Sequence, residues 1–475
     1  MVTIQNLIAG ESVGDAQYER RNPAAPNEIV ATTPSSTATD VDAAVEAAVD
    51  AQAAWAAKTP VARGAVLLDA ADVLRQRHES VARDLTREEG KTLAEAKGEV
   101  RRAIDVLRFF GAAGWRSAGE TLPSSMPDTT VYTRAEPLGA VGLITPWNFP
   151  IAIPAWKMAP ALISGNTVVI KPAELTPISV GHLAGALVEA GLPPGVLNVV
   201  HGPGSVVGDA LVRHRDVAGV SFTGSTAVGN TIRDVLDARR ARVQLEMGGK
   251  NAYLVLDDAD PEKAAGVVAA GGFGLTGQAC TATSRVYVTP GVRDAFIKAL
   301  REKAASTRVG DGLADGTTMG PVVSEDQLAK DVAAIEQARE AGYDLGEITE
   351  PSGLHFSPAV VSGVEHKSAL ARDEVFGPVI AVVDVDDYEQ GVEYVNDSPY
   401  GLTGGVCTND LAIAYDFAAR AQVGVVKVNR PTAGLDLNVP FGGVRDSSTN
   451  TFREQGARAV DFYTWNKSVY VGHDR

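Results

Sequence analysis

The sequence predicts an α/β protein with two parallel-sheet domains and a small separate β flap. Three observations carry this. From about residue 139, short apolar strands alternate with helices. After about 247 the same alternation starts again. The end of the chain, VDFYTWNKSVYVG, alternates like a strand pair and is matched by similar strand signals near residue 130, so the two can share one small sheet. At 475 residues the chain exceeds what one hydrophobic core usually supports.

The elements follow in order. Residues 40–57 read as an amphipathic helix with Asp40 as N-cap and an apolar face of Val41, Val45, Val49 and Ala53. Further helices are predicted over about 62–87 and 93–116. VYTRAEPLGAVGLI is rich in β-branched residues and reads as strands. Then AVGLI precedes PWNFP, TVVIKP precedes a helix near Thr176, VLNVVHG one near Ser205, and GVSFTG one opening at Ser225. The second series is NAYLVLDDAD, a helix through 262–277, SRVYVTP and a helix at 291–307. Ligands of such sheets bind at the carboxyl ends of the strands.

Composition narrows the function classes. The formal net charge is −16, which disfavours nucleic acid and anionic membranes as partners. Two distant cysteines, Cys280 and Cys407, argue against a disulfide scaffold and for a reducing, cytoplasmic setting. The N-terminus has no basic stretch followed by an apolar one, so no signal peptide is expected. The apolar region 138–170 is broken by prolines, asparagines and Lys157, so no membrane span is expected. The histidines and cysteines lack metal-site spacing, so no metal is expected.

Several residues could carry chemistry, and each has a structural reading beside the functional one. Cys280, in GLTGQACTATSR, lies among small residues at the end of the predicted helix. It is either a buried small hydrophobe or a nucleophile open to a ligand. Cys407 keeps the first reading. Glu246, in RVQLEMGGKN, is either salt-bridged to Lys250 or Arg242, or a desolvated general base. Asn148, held between Trp147 and Phe149, is either a turn former or a rigid oxyanion donor. FTGSTAVG (222–229) and the Gly202–Gly208 segment open helices that could hold phosphate, though neither is GxGxxG; ordinary capping by Ser225 and Ser205 is the alternative. Lys171 and Glu174 follow a strand and could bind a ribose, or form a solvated pair.

Seven segments, in this order, resemble the NAD(P)-dependent aldehyde dehydrogenase superfamily: PWNFP (146–150), KPAE (171–174), FTGSTAVG, LEMGGKN (245–251), GQAC (277–280), EVFGPV (374–379) and VPFGGVRDSS…REQG (439–456). The resemblance implies that Cys280 is the nucleophile and Glu246 the deacylating base. It makes Asn148 and the Cys280 N–H the oxyanion hole, and gives Glu454 a part in proton traffic. Lys171 and Glu174 would hold the adenosine ribose, Ser225 the pyrophosphate, and Glu374 the nicotinamide ribose, with Phe376 beside it. Trp147, Gly224 and Gly229 would line the cofactor cleft. It further implies a cofactor domain (1–123 and 139–247), a catalytic domain (248–445) and an oligomerisation flap (124–138 and 458–472), and so a homodimer or homotetramer. Retention of Glu246 implies hydrolysis of a thioester rather than its transfer to coenzyme A.

Arg445 and the stretch SSTNT (447–451) depart from the common family pattern and look like the subgroup that oxidises 2-oxoglutarate semialdehyde (2,5-dioxopentanoate). Succinate semialdehyde or an aromatic aldehyde is the alternative substrate. A thiol hydrolase and a non-catalytic protein on this fold are the competing classes. A carboxylated aldehyde needs a cation in its pocket. Arg102, Arg285 and Arg430 are the candidates, each with a structural alternative, and Phe149 and Trp156 would form the walls. Glu174 leans the cofactor towards NAD, since its carboxylate would repel a 2′-phosphate.

Overall fold

Strands that are apolar on both faces leave no side for solvent, so helices must cover both. Ala140–Ile144, Thr167–Lys171 and Gly219–Thr223 are buried at every position in the computed structural model, which describes residues 1–116 and 119–473. They form a seven-stranded sheet in the order Arg242–Glu246, Gly219–Thr223, Ala140–Ile144, Thr167–Lys171, Leu197–Val199, Asn6–Ile8, Glu11–Val13. The first five strands are parallel, and the two N-terminal strands join antiparallel. A second, six-stranded sheet is parallel throughout, in the order Ala359–Val361, Val379–Asp384, Thr283–Val288, Asn251–Val255, Thr403–Cys407, Val425–Val428.

A third sheet stands apart. Thr464–Gly472 pairs antiparallel with Thr129–Pro137 along its whole length, and Thr121–Leu122 flanks the other side. The C-terminal stretch is therefore one strand rather than a pair. Its first residues, Val460–Tyr463, form a short helix that buries Phe462 and Tyr463. A further sheet, Val2–Thr3, Ala25–Thr33 and Tyr18–Asn22, has no counterpart in the pattern-based reading.

Other elements differ in detail. The first helix is Ala38–Ala57 with Thr37 as N-cap; Asp40 sits one turn in and accepts from the Thr37 N–H at 2.8 Å, completing a capping box. Its buried face runs through Val41, Ala44, Val45 and Ala48, while Val49 points outward. The helix predicted over 62–87 is two, Pro60–Gln76 and His78–Glu89, divided at Arg77. Ser225 caps Thr226–Ala238, but Ser205 caps nothing and lies inside a single wide turn, Gly204–Gly208. Among the described residues, no helix is long and apolar enough to cross a membrane.

Arg242–Glu246 is the outer strand of the first sheet, and it is not left open. Residues 447–449 return to it: the Met247 N–H donates to the Ser447 carbonyl at 2.9 Å, and Glu246 bridges Ser448. The C-terminal segment thus covers the edge on which the predicted base lies.

Candidate active site

The thiol is set by a turn. Helix Pro261–Phe273 ends seven residues short of Cys280, so the cysteine is on a loop rather than a helix end. Leu275, Thr276 and Gly277 all have positive φ (54°, 57° and 68°). A Cβ at Gly277 would lie 2.3 Å from the Gly377 carbonyl carbon, so only glycine fits. Two amides fix the loop that follows. Asn148 Nδ2 donates to the Gln278 carbonyl at 2.9 Å, and Asn251 Nδ2 donates to the Cys280 carbonyl at 2.7 Å and the Ala282 carbonyl at 2.9 Å. Asn148 is therefore no self-satisfied turn residue, and its second amide hydrogen is free of that bond. Cys280 is half-buried, and burial, with the charges of Glu374, Glu246 and Glu454, pushes its thiol up to about 12. Cys407 is buried at the end of its strand.

Glu246 is the last residue of Arg242–Glu246 and is 2% exposed. Neither Lys250 nor Arg242 pairs with it: Arg242 donates instead to the carbonyls of Phe462 and Thr464. The carboxylate accepts only long hydrogen bonds, from the Gly443 N–H at 3.3 Å and Ser448 Oγ at 3.4 Å. Desolvation, then repulsion from Glu454, raises its pKa well above the carboxylate range. Glu454 is paired with the buried Lys157 and accepts from Ser221 Oγ at 3.3 Å through Oε1; its Oε2 is buried without a partner. Two buried carboxylates and one lysine can share and pass protons here.

A cleft of about 840 Å³ opens at the carboxyl ends of the first sheet. Its walls include Trp147, Lys171, Glu174, Gly204, Gly224 and Ser225. Lys171 is desolvated, with the Glu174 carboxylate 3.5 Å from its Nζ, and Glu174 Oε1 accepts from the Gly204 N–H at 3.1 Å. Added Cβ atoms at Gly224 and Gly229 would stand 2.5 Å from the Phe222 ring and 2.4 Å from Met247 Sδ, so the backbone lies close there. A cleft of this volume with a helix N-terminus, a lysine and a carboxylate able to accept from hydroxyls fits a dinucleotide. At the thiol side, Glu374 Oε1 accepts from the Gly249 N–H at 2.9 Å, and burial lifts its carboxyl to about 7. Phe376 sits edge-on to Trp147, ring centroids 5.4 Å apart, which joins the two predicted cofactor segments.

Residues 10–469 match the model of the aldehyde dehydrogenase family. The chain belongs to the aldehyde dehydrogenase family. It is 44% identical to the alpha-ketoglutaric semialdehyde dehydrogenase of Bacillus subtilis (strain 168), over 99% of this chain and 98% of that protein. It is 46% identical to the alpha-ketoglutarate semialdehyde dehydrogenase of Haloferax volcanii, over 98% of each. Its fold superposes with a TM-score of 0.95 on the NAD+ complex structure of aldehyde dehydrogenase from Bacillus cereus, 35% identical over 99% of this chain and 97% of that one.

Of the three arginines considered for an aldehyde dehydrogenase acting on a carboxylated substrate, one is withdrawn. Arg285 is fully buried and committed to the Lys250 carbonyl at 2.9 Å, Tyr287 Oη at 2.9 Å and the Val395 carbonyl at 3.3 Å. Arg430 is exposed, and its carbonyl receives Tyr253 Oη at 2.9 Å. Arg102 is half-buried and bonds Gln455, the neighbour of Glu454. Trp156 faces Phe441 at 6.1 Å, and Phe149 lies under Lys91 Nζ at 4.7 Å.

Pattern reading missed Asn251, Lys157, Lys91 and Glu99. Lys91 Nζ donates to Glu99 at 2.6 Å and to the Asn148 carbonyl at 2.7 Å; Glu99 Oε1 accepts from the Ile151 and Ala152 N–H groups at 3.0 and 3.1 Å. One buried ion pair thus holds both sides of PWNFP. Lys157 left a signal: a lone cation in the apolar helix AIPAWKMAPALI needs a buried anion. Lys91 and Glu99 left none, because their partner segment lies more than fifty residues away.

Proposed function

We propose that this aldehyde dehydrogenase oxidises 2-oxoglutarate semialdehyde to the dicarboxylate with NAD(P)+, preferring NAD+. The observation that carries the reaction is the convergence of Cys280, Asn148, Glu246 and Glu454 from four distant segments on one site beside a dinucleotide-shaped cleft. The substrate is supported by the printed activities of the Bacillus and Haloferax relatives. A lean to NAD+ is supported by Glu174, whose carboxylate beside the Gly204 N–H disfavours a 2′-phosphate.

In this reading Lys171, Glu174 and the Ser225 helix start hold the adenosine half of the cofactor, and Glu374, with Phe376 and Trp147, the nicotinamide half. Bound NAD(P)+ supplies the hydride acceptor that makes the thiohemiacetal a thioester. The chain does the rest. Cys280 Sγ gives its proton to Glu246 and adds to the aldehyde carbon. The oxyanion takes the second Asn148 Nδ2 hydrogen and the Cys280 N–H, each donor of this kind contributing ~3–4 kcal/mol. After oxidation Glu246, having passed that first proton on, removes one from water, which attacks the thioester; the thiolate leaves, takes this proton back from Glu246 as the restored thiol, and the carboxylic acid is released. Glu454 Oε2, backed by Lys157, can take the proton on from Glu246.

The free thiols of Cys280 and Cys407 support a reducing, cytoplasmic setting. Exposed Trp465 (43%), Tyr470 (60%) and Val471 (46%) on the flap's outer strand support a homo-oligomer. A panel of 2-oxoglutarate, succinate and glutarate semialdehydes and benzaldehyde, followed by NAD(P)H absorbance, tests the reading. The highest kcat/KM with 2-oxoglutarate semialdehyde is expected; a higher value with another aldehyde rejects the substrate.

A further inference from the structure

We infer that Arg102 and Gln455 form a subsite for the 2-oxo-acid end of the substrate, Arg102 taking the carboxylate and Gln455 Nε2 the adjacent keto oxygen. The inference rests on the reading that the substrate is a carboxylated aldehyde, and it names the residues that would recognise it.

Four observations support it. Arg102 is half-buried and desolvated, yet no carboxylate lies within ion-pair distance of it among the described residues; Asp105 and Asp436 act on it only from further off. Its one hydrogen bond goes to Gln455 Oε1. Because a guanidinium only donates, that bond fixes the amide's orientation and turns Nε2 away from Arg102. Gln455 is 1% exposed, and this Nε2 is buried without an acceptor. A buried N–H without a partner beside an unpaired guanidinium is a donor set lacking its acceptor, and a 2-oxo acid offers two acceptors on adjacent carbons.

The backbone adds to this. Gln455 holds φ at 59°, in the left-handed region, and Gly456 follows at 57°. Glycine would be the relaxed choice at both positions, and an amide is kept at the first. The residue before it, Glu454, faces Glu246 and bridges Phe441, whose ring meets Trp156. The subsite is therefore one residue along the chain from the proton-handling carboxylate. Arg285 cannot serve, its guanidinium being consumed by the Lys250 carbonyl and Tyr287 Oη.

Two substrate ratios test the two contacts separately. The ratio of kcat/KM for 5-oxopentanoate over pentanal reads the carboxylate alone. The ratio for 2,5-dioxopentanoate over 5-oxopentanoate reads the keto oxygen alone. Arg102→Met should lower the first ratio at least twentyfold, and Arg102→Lys should recover part of it. Gln455→Leu should lower the second at least fivefold, and Gln455→Met should behave likewise. An unchanged first ratio in Arg102→Met removes the arginine, and an unchanged second ratio in both Gln455 variants removes the amide. If the wild type shows no preference for 2,5-dioxopentanoate, the substrate reading fails, while the first ratio still decides the Arg102 contact.

Discussion

Cys280, the proposed nucleophile, gets no help from its own electrostatics. Burial, and then the charges of Glu374, Glu246 and Glu454, push its thiol up to about 12, so it is almost wholly protonated at neutral pH. Iodoacetamide labelling of Cys280 should therefore be slow and should rise with pH from about 7 to 10 without a plateau. A plateau below pH 8 would mean a thiolate already stabilised. Glu246 has the opposite task. Its raised pKa means the carboxylate form is gained only as pH rises well past the usual range, so turnover should climb through that region. Glu246→Gln should abolish the climb and slow both the first NADH formed and steady turnover at least a hundredfold, since both steps hand a proton to this carboxylate; full turnover would exclude it as base. Asn148→Ala should lower kcat at least a hundredfold with cofactor affinity intact, read by single turnover and fluorescence titration. At this scale the four proposed catalytic side chains were legible as types in their segments, but their alternatives could not be weighed locally. What bears on them lies far off in sequence: Asn148 reaches Gln278, and Glu246 is covered by Ser448.

Among the elements, the short strands and their helices were readable because burial on both faces leaves a continuous apolar run, as in Ala140–Ile144 and Thr167–Lys171. The N-terminal strands were not readable. Glu11–Val13 is exposed throughout, so no alternation marks it. The break at Arg77 escaped because 62–87 keeps helical residues across it. The Lys91–Glu99 pair belongs to this scale, since it fastens one helix to the loop that carries Asn148. Lys91→Met strands two buried acids, Glu89 and Glu99, and should cost about 3–5 kcal/mol of stability in chemical denaturation, with kcat falling more than KM rises. Lys91→Met combined with Glu99→Gln should recover part of the stability; no recovery would remove the pair from this account. Gly229→Ala would press on Met247 Sδ and displace the helix start beside the cleft, and a raised NAD+ Kd by titration is its expected mark.

For the whole molecule, the flap was legible because its two strands alternate, although its partner strand was miscounted: Val460–Tyr463 shares the alternation but folds as a helical turn. The flap's outer strand presents Tyr470 and Val471 to solvent, and a second copy pairing there would cover them. Tyr470→Asp with Val471→Lys should shift sedimentation towards the monomer; an unchanged sedimentation coefficient would place the interface elsewhere. The cover over the first sheet's outer strand has a further effect, in the order of events at the ribosome. Glu246 is synthesised 202 residues before the Ser448 that closes over it. Until that late segment emerges, the edge strand that carries Glu246 stays open to water, where the carboxyl would ionise like any other. A chain that used Glu246 as its base would gain hydrolysis only as translation nears its end.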